Sequence, residues 1–421
     1  MTALSLVGAL VAGCAVVVGA LLVPGPARRG ATLVVVAAML VGTASTAAPE
    51  SVRSGAIYGA IALLALAALG PGPVIGRRGW TIVGLTAVSF GVAAVTTTIG
   101  YPDALGLTLR VGALSVGATW CVLRSTATDL LVLGWGVVAL ALVEVALGLV
   151  EFVVGLPVPW GLSARKLDSY VLVNTLLPGD LERVQGTVGH PITFGVVLCV
   201  AFVIVVASGR GLPSPLRAAV VVALVVGMLL SGSRSIVLAA VLALAVLVVV
   251  GAHGRGVVRA GAAVLGATVA VVVFVDEVGV ASDRFLSSGS YENRAGTVES
   301  VPRLLGRPPG ETVFGSGVGT VERLYQEGLF PQDGFWVLDN QLVTTLATQG
   351  VVGVVLLVAV IGVSMTSRDP LARSLTAVFV GMLVTFDYVF WPSMTVLAAG
   401  AAGLAGRSAV DPARHRIGGS P

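Results

Sequence analysis

Residues 130–155 read LLVLGWGVVALALVEVALGLVEFVVG, a run in which only Glu144 and Glu151 carry charge. An apolar run of roughly 18 residues or more matches the hydrocarbon thickness of a bilayer, and a water-soluble core has no room for many of them. Working outward from it, comparable runs recur near 3–24, 31–48, 54–72, 80–99, 104–123, 190–208, 216–231, 235–251, 258–276, 340–364, 375–391 and 393–406. Together they predict an all-α fold, a polytopic transmembrane helix bundle of about 12–13 spans forming one integral membrane domain over residues 1–421.

Composition agrees. The 421 residues are 56% hydrophobic and 11% charged, against roughly 25% charged in an average soluble domain. The net charge of +4 sits in short loops between spans, so it reads as membrane topology and not as a nucleic-acid surface. Cys14, Cys121 and Cys199 fall inside apolar runs, where a thiol acts as a small hydrophobe. His190, His253 and His415 are far apart, so no metal site and no cofactor are expected. The N-terminus lacks the basic leader of a cleaved signal peptide and is read as the first span.

Loop charge sets the orientation, because Lys and Arg concentrate on the cytoplasmic side. Alternate connections collect Arg28, Arg29, Arg77, Arg78, Arg124, Arg210, Arg217, Arg255, Arg259, Arg368, Arg373, Arg407, Arg414 and Arg416, whereas the opposite short loops carry little beyond Arg53. The N-terminus is therefore expected outside, and the C-terminal tail, 407–421, in the cytoplasm. Two polar stretches, 156–189 and 277–339, then fall on the extracytoplasmic face, the second as a large loop between late spans.

Four elements on that face could carry chemistry. The run Arg183-Val-Gln-Gly-Thr-Val-Gly-His190-Pro191 leads into a span, where helix amide groups favour an anion; a plain turn with an interfacial arginine is the alternative. The tight turn Ser231-Gly-Ser-Arg234 holds a guanidinium at the boundary, suited to phosphate or simply to anchoring. In the large loop, Tyr291-Glu-Asn-Arg294 precedes Pro308-Pro-Gly and the alternating glycines Gly315, Gly317 and Gly319. No strand precedes those glycines and no Lys-Ser/Thr follows, so a turn that lets the backbone re-enter is preferred to a phosphate cradle. Asp339-Asn340 opens the next span, where Asp339 serves as a helix cap or as a base for an attacking hydroxyl.

Inside the spans, Arg110, Glu144, Glu151 and Asp387 are the conspicuous charges. Glu144 and Glu151, seven apart, share a helix face. Pairing of Arg110 with one of them is the leading expectation, and an ion-coupling site the other.

The order of Arg-x-x-Gly-Thr-x-Gly-His-Pro before one helix, Ser-Gly-Ser-Arg before the helix after next, Arg294 in the outer loop, the Phe-Gly-x-Gly-x-Gly run, and a polar pair with Gly nine residues further on resembles the O-antigen ligase and O-antigen polymerase superfamily. The match covers Arg183 to Gly353. The resemblance implies a metal-independent, GT-C type membrane glycosyltransferase of the bacterial plasma membrane. Its donor would be an undecaprenyl-diphosphate-linked glycan and its acceptor a glycan or lipid, with membrane lipids and envelope polysaccharide assembly proteins as further partners. By position, Arg183, Arg234 and Arg294 would bind the diphosphate, with Arg294 also catalytic, and Asp339 would be the base. Gly315, Gly317, Gly319 and Asn340 would belong to a substrate loop. Ligases of the superfamily carry His where Asp339 stands, so the resemblance leans towards the polymerases.

Two rival expectations remain. A secondary transporter or lipid-linked-glycan flippase would use Arg110, Glu144 and Asp387 and would show repeated halves and broken helices, neither of which the sequence displays. A non-enzymatic scaffold for envelope assembly is the third.

Overall fold

The computed structural model describes residues 25–154, 173–174, 176–177, 181–208, 213–250, 296–332 and 338–407. Eight helices come first: α1 (Arg28–Gly42), α2 (Glu50–Leu69), α3 (Arg77–Gly100), α4 (Leu105–Leu123), α5 (Ala127–Val154), α6 (Pro191–Ser208), α7 (Ser214–Leu230) and α8 (Arg234–Val250). Three short helices follow, α9 (Val301–Leu305), α10 (Pro309–Phe314) and α11 (Val321–Gln326). The last three are α12 (Gln341–Met365), α13 (Pro370–Met382) and α14 (Pro392–Gly406).

Six of these, α2 to α6 and α12, are long and apolar enough to cross a membrane, and the chain is accordingly a multi-pass membrane protein. The helices α7, α8, α13 and α14 are apolar but shorter. Exposed faces support the same reading, with Val88, Val95 and Ile99 of α3 and Val355 and Val358 of α12 presented outward as a bilayer requires. The helix α6 is apolar all round and buried from Pro191 to Val206, so it occupies the centre of the bundle. Around it α5, α7, α8 and α13 build the main core, with Phe194, Phe202, Ile236, Val378 and Phe386 among its members.

Successive helices run in opposite directions, so the connections separate into two ends. At one end arginines bind helix-terminal carbonyls, the groups a helix leaves without internal partners. Arg29 donates to the carbonyls of Ala67 and Gly70 at the end of α2 and to that of Arg124 beyond α4. Arg407 donates to Val122 and Ser125. Positive charge at helix C-termini is also favoured by the macrodipole. The opposite end carries the connections 43–49, 101–104, 231–233 and 383–391 together with the polar segments.

Hydropathy and the observed helices differ in three places. The span expected at 375–391 ends at Met382, and 383–391, with Asp387, is a non-helical connection. The expected pairing of Arg110 with Glu144 or Glu151 does not form. Arg110 instead donates to the Gly106 carbonyl and lies over the Tyr58 ring, 5.5 Å from its centroid, leaving its charge towards the surface. Finally, α12 is broken at Gly350 (φ 65°, ψ −166°), although the sequence showed no broken helix. The expected spans 3–24 and 258–276, residues 277–295 of the large loop and the tail beyond Arg407 lie outside the described residues.

Candidate functional site

The segment ahead of α6 is built on two carboxylates. Glu151 accepts from the backbone N–H groups of Gln185 (3.2 Å) and Gly186 (2.9 Å), and Glu144 from the N–H of Thr187 (3.0 Å) and its hydroxyl. Two turns apart on one face of α5, they bind the three consecutive amides of residues 185–187, at the start of the 186–188 turn. The anion that this glycine-containing turn attracts is therefore supplied by the protein itself. Upstream, Arg183 donates through Nε to the Ser231 carbonyl (2.8 Å), while Asn174 donates to those of Leu229 and Leu230. The end of α7 is thus capped by the polar segment, and Arg183 stands against the turn that carries Arg234.

The start of α12 makes a second group. Asn340 Oδ1 accepts from the Val343 N–H (3.1 Å), so Asn340 and not Asp339 is the helix cap. Gln341 then ties α12 to the α13–α14 connection, donating its own N–H to the Leu383 carbonyl and accepting the Val389 N–H at its Oε1, both at 2.8 Å. That clamp brackets Asp387. Burial, followed by the charge of Asp339, raises the Asp387 carboxyl from the ordinary range to about 7. The Trp391 side chain hydrogen-bonds to Asp387.

A third contribution joins these groups. The His190 ring stacks on Phe386 at 5.4 Å between centroids and meets Trp391 at the same distance. Burial, reinforced by the Arg183 charge, lowers its pKa to about 4, so the imidazole is neutral near pH 7. Its Nδ1 is buried without a hydrogen-bond partner. His190 therefore links the turn ahead of α6, where Arg183 lies, to the Phe386 and Trp391 rings that flank Asp387 in the α13–α14 connection.

The glycine-rich run has a different neighbourhood. Ser316 and Gly317 donate their N–H groups to the carbonyls of Ala347 (3.0 Å) and Thr348 (2.9 Å), and Val318 donates to Thr97 Oγ1 (2.9 Å). Arg307, buried, donates to the Leu346 carbonyl (2.9 Å), the Ala347 carbonyl (3.0 Å) and Ser316 Oγ (2.7 Å). These donors satisfy the carbonyls that the break in α12 leaves open. Gly350 and Gly315 permit the contact: both have positive φ, and a Cβ on either would overlap the partner backbone, at Val313 and at Thr348–Gln349 respectively. Amides that a phosphate cradle would need are thus engaged with α12. Between α3 and α10 this packing leaves an open groove lined by Val88, Val95, Ile99, Phe314, Glu311 and Arg323.

The structure brings Arg183 and the Ser231–Arg234 turn together, and Asp339 and Asn340 beside Asp387. Gly315, Gly317 and Gly319 lie at the same end but pack on α12, α3 and the 101–104 connection respectively. Arg294 lies outside the described residues. Sequence reasoning gave His190 no role beyond the absence of a metal site and placed Asp387 within a span; the signal available for Asp387 was the aromatic Phe386-Asp-Tyr-Val-Phe-Trp391 run, dense in rings for a short stretch. Neither a protein-family model nor a curated protein matches the chain.

Proposed function

We propose that this is a membrane glycosyltransferase of the O-antigen polymerase or ligase kind, acting on an undecaprenyl-diphosphate-linked glycan at the extracytoplasmic face of a bacterial plasma membrane. The observation that carries the reading is the common location of Arg183, the Ser231–Arg234 turn and Asp339 at the end of the bundle opposite the arginine-capped one. With the arginine-rich end in the cytoplasm, the N-terminus lies outside and the tail inside. The guanidinium groups of Arg183, Arg234 and Arg294 neutralise the diphosphate as it leaves, and Asp339 accepts the proton of the attacking hydroxyl. The bond from the anomeric carbon to the phosphate oxygen breaks as the new glycosidic bond forms, and the electron pair departs with the diphosphate. Polymer growth or transfer to a lipid acceptor follows from which hydroxyl attacks. Membrane lipids and envelope polysaccharide assembly proteins are the partners in this reading.

The test is incubation of purified protein with undecaprenyl-diphosphate oligosaccharide, with product length and conjugation followed by gel and mass spectrometry. Transfer without added metal is expected, with loss in Arg234→Ala and Arg294→Ala. Full transfer in either variant removes its diphosphate role.

One observation favours a second reading, a transporter or flippase of lipid-linked glycan: the break in α12 at Gly350, since discontinuous helices commonly form transport sites. Flux across proteoliposomes that collapses in Glu144→Gln, with Arg183 and Arg234 dispensable, selects it.

A further inference from the structure

Charge at the arginine-capped end of the bundle is one-sided: among the described residues the acids there are Asp129 and Asp369, and both are engaged. Asp129 accepts from the N–H groups of Gly30 (2.9 Å) and Thr126 (2.8 Å), and Asp369 from that of Leu371 (2.9 Å). Arg29 and Arg407 are likewise occupied by helix-terminal carbonyls. Arg77 and Arg78, at the start of α3, differ. Arg77 is exposed and Arg78 half-exposed, neither side chain bonds or pairs with another described residue, and the first turn of α3 holds no acid.

The same corner has the makings of a membrane–water boundary. Ile75, Val83 and Leu123 pack the 70–76 connection and the start of α3 against the end of α4, with Trp120 beside them. Trp80 meets Trp120 edge to face, 5.4 Å between ring centroids, and is still 54% exposed, as an indole at the headgroup level would be. Val74, 94% exposed, projects from the connection. Arg124 lies over Trp120 at 6.0 Å, donates to the Gly70 carbonyl (3.3 Å) and keeps a buried Nε with no hydrogen-bond partner. Beyond Trp80, Gly84, Val88 and Gly91 are exposed on α3, and a Cβ on either glycine would meet nothing within 4 Å, which leaves a flat surface for a hydrocarbon chain.

We infer that this corner binds an anionic phospholipid of the leaflet at the arginine-capped end, its phosphate held by Arg77 and Arg78 and one acyl chain lying against Trp80 and the Gly84–Gly91 surface of α3. Guanidinium groups meet phosphate oxygens with paired N–H donors, and here no unengaged carboxylate competes for them. An anionic headgroup fits better than a zwitterionic one, because a choline or ethanolamine cation would face arginines with no acid to receive it. Basic residues at a membrane surface attract such lipids generally; the paired free arginines beside an exposed indole make a defined place for one. The surface does not depend on the reaction the protein performs.

Native mass spectrometry of the purified full chain with added phosphatidylglycerol or, separately, phosphatidylcholine tests the inference. The wild type should retain phosphatidylglycerol in preference, and Arg77→Gln/Arg78→Gln should weaken its binding roughly tenfold or more, since each basic residue near a membrane surface contributes about fivefold. Arg217→Gln, which removes a charge from the same end but on α7, should leave binding unchanged. Equal retention of the two lipids by the wild type, undiminished phosphatidylglycerol binding in the double variant, or an equal loss in Arg217→Gln overturns the inference, the last by showing diffuse attraction only. Phosphatidylglycerol brominated on its acyl chains locates the chain: it should quench the fluorescence of the wild type more than that of Trp80→Phe, and that difference should vanish when Arg77 and Arg78 are also replaced. Equal quenching of the wild type and Trp80→Phe overturns the placement on α3.

Discussion

Arg183 donates its Nε–H to the backbone carbonyl of Ser231 across 2.8 Å, so one arginine both caps α7 and fixes the turn that carries Arg234. Its two duties are separable. Arg183→Lys keeps the charge but loses the planar donor set, whereas Arg183→Gln keeps a donor and loses the charge. If the chain acts as proposed on a lipid-linked donor, Lys should retain more donor binding and Gln more thermal stability, checked by KM for that donor and by unfolding in detergent. Equal effects of both on KM would show that charge is irrelevant there.

Removing Glu151 strands the amides of Gln185 and Gly186 in a half-buried place, a cost of about 1–3 kcal/mol for each group left unpaired. Glu151→Ala should lower the melting temperature, and Glu151→Gln should recover part of it because the amide oxygen still accepts. Thermal unfolding followed by tryptophan fluorescence provides the measurement. An unchanged melting temperature in Glu151→Ala would mean the segment is held by other bonds.

Gly350→Ala adds a Cβ where the backbone of Val313 already lies and imposes a residue with a side chain on positive φ. Loss of folded, monodisperse protein in detergent is expected. In the same helix, a Cβ on Gly362 meets nothing within 4 Å, so Gly362→Ala should be neutral or stabilising by up to about 1 kcal/mol. Comparable yields from the two variants would remove the packing argument.

Stability should also fall as pH rises. The Asp387 carboxyl is raised in the folded state from 3.8 to about 7, so the folded chain binds more protons than the unfolded one between those values. Its contribution is fully present below the unfolded pKa and is lost as pH climbs through the folded one. His190, lowered from 6.5 to about 4, works in the opposite direction below pH 6.5, so the melting temperature of the wild type should decline from pH 6.5 to pH 8, and Asp387→Asn should flatten the decline.

What hydropathy can see here is burial in lipid, and it located α5 from residues 130–155 with little error at either end. Glu144 and Glu151 were legible as one face because seven residues close two turns. Their partners were not, since backbone amides leave no mark on composition. The break at Gly350 was equally hidden: a single glycine in an apolar helix is ordinary, and its left-handed backbone follows from contact with Val313, distant in sequence. Asp387 looked like a charge within a span because Phe386, Tyr388 and Trp391 surround it with apolar surface. The helix there ends at Met382, and a hydrogen bond from Gln341 at the start of another helix holds the next residue, Leu383. For the candidate site, sequence order placed Arg183, Arg234 and Asp339 at one end, while the bridging roles of Gln341 and His190 depended on tertiary contacts.

Arg29 bears on how the chain is made. It enters the bilayer with α1, yet one of its acceptors, the Arg124 carbonyl, is 95 residues further along. During synthesis this guanidinium must remain hydrated at the membrane surface until α2 and then α4 have been inserted. Docking of α1, α2 and α4 is thereby needed before this arginine is fully satisfied, and a truncation ending at α3 should leave an assembly that the cell's quality control removes.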